Sequence, residues 1–138
     1  IPGAFVGGPG YDISRDGKLL ALQFIKGGQG FEIQQIGLVT LDAGPQPPVR
    51  MLDPDPRLAA PPGFTPDGKA VVYPIRENGV GNLWLQPLDG SPGHAMTSFP
   101  SDDIQIFDFS PDGKTLGVMR NHTESDVVLL HETGASAR

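Results

Sequence analysis

The sequence predicts an all-β protein assembled from about three four-stranded antiparallel units, with almost no helix. Three observations predict it. One segment recurs three times along the 138 residues; each copy holds an Asp-Gly turn ahead of a short apolar run; and no stretch keeps a 3.6-residue apolar period over three turns.

The first copy opens Tyr11-Asp12-Ile13-Ser14-Arg15-Asp16-Gly17-Lys18-Leu19. The second opens Gly63-Phe64-Thr65-Pro66-Asp67-Gly68-Lys69-Ala70, and the third Phe107-Asp108-Phe109-Ser110-Pro111-Asp112-Gly113-Lys114-Thr115. Their turn glycines, Gly17, Gly68 and Gly113, lie 51 and 45 residues apart. Such periods belong to propeller blades or to helical pairs. Local chemistry selects strands. Asp-Gly between apolar runs is a hairpin signal, because glycine accepts positive φ without steric cost. The proline in Thr65-Pro66 and Ser110-Pro111 presets the bend by fixing its own φ and restraining its predecessor.

The elements follow in order. In the first unit, strand A opens at Tyr11 ahead of the Asp-Gly turn, 19–24 make strand B, the glycine-rich stretch 26–30 a turn, 36–41 strand C and 49–52 a weaker outer strand D. In the second, the strands after the opening are 70–73, 82–88 and 94–97, with a polar turn over 77–81. Pro74, late in the second strand B, removes a ladder donor and is expected to mark a bulge or a strand end. In the third, 115–119 and 126–130 are strands around a turn at 121–125, and 131–138 is too short and polar for a strand D. Residues 4–6 (Ala-Phe-Val) are apolar and lack a partner within the first unit. The chain is therefore expected to be one partial-propeller domain over residues 1–138, with blades at about 4–56, about 60–100 and about 104–131.

Composition narrows the function classes. Gly (19) and Pro (15) form about a quarter of the chain, which many turns between short strands explain, since 38% of residues are hydrophobic and clustered. Net charge is −6, with no run of Lys or Arg to neutralise phosphates, so neither a nucleic acid nor an anionic membrane surface is an expected partner. There is no cysteine, hence no disulfide frame and no thiolate metal site, a composition that suits cytoplasm and periplasm alike. No apolar stretch has the length of a membrane span, and no signal-peptide pattern is present. A start at Ile1 is expected of an excised or processed fragment.

The phrase Phe109-Ser110-Pro111-Asp112-Gly113-Lys114 resembles the PD40 (WD40-like) repeat of TolB and related bacterial β-propellers. Thr65-Pro66-Asp67-Gly68-Lys69 resembles it nearly as well, while Ser14-Arg15-Asp16-Gly17-Lys18 departs at the proline. Asn82-Leu83-Trp84-Leu85-Gln86-Pro87-Leu88-Asp89-Gly90 is similar to that family's third strand and exit turn. The end of the chain, from Thr97-Ser98-Phe99 through Ser125-Asp126-Val127-Val128-Leu129-Leu130, looks like the C-terminal segment of certain bacterial Ser/Thr protein kinases whose PD40 propeller acts as a sensor. That resemblance implies an extracytoplasmic setting and a larger receptor-like parent. None of the kinase catalytic motifs is present.

Candidate sites are few. Asp16, Gly17, Asp67, Gly68, Asp112 and Gly113 are structural turn formers. Asp102 with Asp103, and Asp53 with Asp55, are carboxylate pairs of the kind that run acid–base chemistry or hold hard cations, yet they lack Ca²⁺-loop spacing and read as solvated loops. His94, His122 and His131 fall outside ligand spacing. Gly27-Gly28-Gln29-Gly30 does not match a phosphate fingerprint. Trp84, Tyr11 and Tyr73 read as inter-blade packing, and Asn121-His122-Thr123 is only formally a glycosylation acceptor. No catalytic, metal or cofactor residue is therefore assigned.

The function expected is a non-catalytic sensor or scaffold module that binds a protein or small ligand, part of a larger bacterial protein. Two alternatives stand beside it: the gating propeller of a prolyl-oligopeptidase-type peptidase, and a TolB-type periplasmic envelope protein. Propellers close with four to eight blades. A homodimer, or additional blades in the parent chain, is expected to complete this one.

Overall fold

The computed structural model describes residues 10–26 and 33–122. Every regular element among them is a strand: β1 Tyr11–Ile13, β2 Leu19–Lys26, β3 Ile33–Thr40, β4 Val49–Leu52, β5 Gly63–Phe64, β6 Ala70–Glu77, β7 Val80–Pro87, β8 His94–Ala95, β9 Asp103–Phe109 and β10 Leu116–Asn121. They form antiparallel meanders in the orders β1-β2-β3-β4 and β5-β6-β7-β8, with β9 paired to β10. The chain is all-β, and its sheets are open, as in a partial propeller. Residues 4–6, the glycine-rich 27–30, the strand expected at 126–130 and His131 lie outside the described residues.

The three repeat turns have one geometry. In each, the glycine N–H returns to a carbonyl three residues back, Gly17 to Ser14, Gly68 to Thr65 and Gly113 to Ser110, all at 2.8 Å. The glycines sit at φ 73°, 69° and 72°, while the aspartates before them keep negative φ. These are four-residue turns in which only the last residue is left-handed. A two-residue primed hairpin instead joins β6 to β7, where Asn78 and Gly79 both have positive φ, 51° and 78°.

Pro74 overturns its expectation. β6 runs through it to Glu77, in unbroken register with β7. The reason is which edge its nitrogen faces. A residue's N–H and C=O point to the same side of an antiparallel strand. The Pro74 carbonyl accepts from Ala59 N–H at 2.8 Å, on the edge away from β7. The missing donor therefore costs no β6–β7 bond.

The register makes the repeat quantitative. Asp12 faces Ala21, Gly63 faces Val72 and Asp108 faces Gly117 at equivalent positions of the three sheets. These positions share one face of each sheet, the far face, which in the first two sheets is turned toward the next. The near face carries Ile13, Phe64 and Phe109. Between the first two sheets the far-face residues Ala21, Ile36, Leu38 and Leu52 pack with Leu58, Phe64, Val71, Tyr73 and Ile75. Between the second and third, Val72 and Leu83 pack with Ile104, Phe107, Phe109, Leu116 and Val118. Side chains as fully enclosed as Ile36 and Leu83 contribute about 1.5–3 kcal/mol each through burial. The core thus lies between sheets.

Candidate functional site

The innermost strands β1, β5 and β9 converge on a cavity of about 320 Å³, lined among others by Tyr11, Asp12, Pro61, Gln105, Phe107 and Asp108. An inner strand has one edge paired to its sheet and one edge free, and a free edge invites another chain. Here carboxylates cap it. Asp12 accepts Ile13 N–H on Oδ1 at 2.8 Å and, with Oδ2, Phe64 N–H of the next sheet at 2.7 Å. Asp108 accepts Phe109 N–H on Oδ1 at 2.8 Å. Gly63 stands where the other two sheets have aspartate. A Cβ there would sit 3.3 Å from the Phe107 ring and 3.6 Å from Asp12 Oδ2. The cavity is thus acidic, aromatic and proline-walled, and among the described residues no Lys, Arg or His lines it.

The repeat-turn residues cluster at a second place. Arg15 reaches from the first turn to the Ser110 carbonyl of the third, and a Cβ on Gly113 would meet Pro66 at 2.8 Å. Within each turn the aspartate is bonded the same way. Ser14, Thr65 and Ser110 donate their hydroxyls to Asp16, Asp67 and Asp112 at 2.7, 2.7 and 2.5 Å, and the N–H of Lys18, Lys69 and Lys114 completes each pair. The hydroxyl bond is the largest cause holding Asp16 and Asp112 below the ordinary carboxylate pKa; for Asp67 it is the Lys69 N–H.

Three of the four paired carboxylates, Asp55, Asp102 and Asp103, are brought to cations. Asp55 departs from the solvated reading: Arg57 grips it with Nε at 2.8 Å and Nη2 at 3.0 Å, which lowers its pKa. Arg57 also meets Glu77 at 3.0 Å and stands over the Trp84 ring. Asp102, at φ 65°, bonds Arg120 at 3.3 Å and His122 at 2.9 Å, while Asp103 pairs with Arg76. Tyr73 is fully buried, accepts Asp55 N–H at 2.9 Å and donates to Gln86 at 2.7 Å. Burial pushes its hydroxyl up to about 12. His94 is exposed in β8, remote in sequence and sheet from His122. Among the described residues no group of three or more His, Cys, Asp or Glu could hold a metal ion.

Sequence reasoning missed Asp12, Gln105 and Asp108. The first and last were visible as the aspartate two positions ahead of the turn serine in copies one and three, Asp12 before Ser14 and Asp108 before Ser110.

No protein-family profile matches the chain. A Streptomyces coelicolor protein named as tricorn protease homolog 2 is 37% identical over 60 residues, which is 41% of this chain and 5% of that protein. Among solved structures, the ligand-free AtxE2 isopeptidase superposes with a TM-score of 0.54 at 15% identity, over 77% of this chain and 19% of the isopeptidase. At that identity the likeness is one of fold. The chain spans a small fraction of either protein's length.

Proposed function

We propose that this chain is a non-catalytic propeller segment of a larger peptidase-type protein, in which the inner-strand cavity meets peptide on its way to a catalytic domain elsewhere. The observation that carries the reading is the convergence of β1, β5 and β9 on one cavity of about 320 Å³. An extended peptide suits such a place, since apolar and aromatic walls hold side chains while a few polar groups fix the backbone. The tricorn protease homologue and the isopeptidase fold support the gating alternative over the kinase-sensor reading. Titrating the ¹⁵N-labelled chain with an unstructured peptide tests it. Amide shifts should concentrate at Tyr11, Gln105 and Ile106. Shifts confined to the outer strands, or none at millimolar peptide, would overturn the reading.

A further inference from the structure

The first two sheets show how a far face is used in this fold. Its central residue is sealed by the next sheet: Ala21 and Val72 are both 0% exposed. Pro74, one pair further along the second sheet, is buried as well. At the first junction the far-face aspartate adds a polar clamp, Asp12 Oδ2 on the Phe64 N–H.

Among the described residues nothing covers the same face of the third sheet. Gly117, the equivalent of Ala21 and Val72, is exposed. Met119, the equivalent of Pro74, and its cross-strand partner Ile106 are each 57% exposed. Asp108 repeats the Asp12 geometry toward its own strand, with Oδ1 on the Phe109 N–H. If its second oxygen stands as Asp12 Oδ2 does, it meets the sheet that follows.

We propose that the Ile106–Met119 face of the third sheet is the seat of a further antiparallel sheet of the same kind, supplied by the longer polypeptide, with Asp108 accepting a main-chain N–H from that sheet's innermost strand. The inference rests on the reading of the chain as a segment of a larger protein. It extends an interface the fold already builds twice.

The seat also specifies its occupant. At the first junction the residue ahead of the clamped N–H is Gly63, and a Cβ there would already lie 3.6 Å from Asp12 Oδ2. An acidic side chain at that position would set two carboxylates against each other, which like charges in close quarters disfavour. The incoming inner strand therefore carries a small, uncharged residue there. A second copy of this chain would offer its first sheet, whose residue at that position is Asp12 and whose Ile13 N–H is already capped at 2.8 Å. Self-association through this seat is disfavoured for that reason.

The chain has no cysteine, so Met119→Cys installs a single thiol on the seat. Its labelling by a maleimide should be fast in the 138-residue chain at every protein concentration. In the longer polypeptide it should slow by at least about tenfold, because labelling then requires the sheets to part. Asp108→Asn should lower the Tm of the longer polypeptide and leave the 138-residue chain unchanged. Equal labelling in both lengths would overturn the proposal. So would protection that grows with concentration in the short chain, the mark of a second copy in the seat. Labelling requires no peptide or peptidase assay, so failure of the peptidase reading and failure of the seat are separately visible.

Discussion

Arg15 and Ser110, 95 residues apart in sequence, meet where the guanidinium donates to the serine carbonyl at 3.1 Å. The bond joins the turn of the first sheet to that of the third, with the second sheet's Pro66 wedged beside Gly113. Turns that are equivalent by sequence are thus unequal by position.

The glycines test this inequality. Gly68 and Gly113 share the same left-handed φ, so alanine at either costs about 1 kcal/mol from backbone strain. A Cβ meets nothing within 4 Å at Gly68 but reaches Pro66 at 2.8 Å from Gly113. Gly113→Ala should therefore cost clearly more than Gly68→Ala in urea melts followed by Trp84 fluorescence. Equal losses would contradict the packed turn cluster.

Asp12 holds two main-chain donors on different sheets, at 2.8 and 2.7 Å. Asp12→Ala removes both bonds and leaves the part-buried Phe64 N–H without its acceptor; it should cost about 1–3 kcal/mol, with hydrogen exchange at Phe64 accelerating more than exchange within β6. An unchanged exchange rate at Phe64 would remove the clamp.

Tyr73→Phe should cost about 1–2 kcal/mol, because the Asp55 N–H and the Gln86 side chain both lose their partner in a buried place. Ionisation gives a second reading. The folded pKa is raised to about 12 from 10.0, so the fold favours the neutral phenol. Its contribution is intact below about pH 10 and is lost as pH rises from there toward 12. Ultraviolet titration should show the Tyr73 phenol ionising well above the ordinary tyrosine range, and Tyr73→Phe should soften the alkaline fall in stability.

The three turn aspartates act at the other end of the pH scale. Their folded pKa values lie below the ordinary 3.8, so the stability they supply is present above that value and is lost as pH falls through the lowered ones. Replacing Asp16, Asp67 and Asp112 together by Asn should flatten the acid limb of Tm against pH below about 4. An unaltered acid limb would show that other carboxylates govern it.

Gly81 faces the third sheet so closely that a Cβ would lie 2.5 Å from the Ile104 nitrogen. Gly81→Ala forces β7 from β9 and should cost on the order of 1–3 kcal/mol by thermal melting. A neutral Gly81→Ala would mean that the second and third sheets are not held at this distance.

Most of the strands were legible in the sequence, because a short apolar run and the polar, Gly- or Asn-containing turn beside it are local properties. The Ser/Thr-x-Asp-Gly turn closes through bonds among six consecutive residues, so Asp16, Asp67 and Asp112 carry their geometry wherever the turn is placed. Local rules failed where an edge mattered. Pro74 reads as a strand end until its nitrogen is seen to face Ala59 rather than β7. Asp55 reads as solvated until Arg57 folds back over Trp84 to hold it. Asp12 and Asp108 look like ordinary strand residues, since capping a free inner edge has meaning only once neighbouring sheets stand side by side. The sequence by itself determined the repeat, its short apolar runs and turns, and hence the all-β class. The tertiary structure alone decided which faces are sealed, which edge each donor meets and where the inner strands converge, because those depend on contacts between sheets some fifty residues apart, beyond the reach of any local pattern.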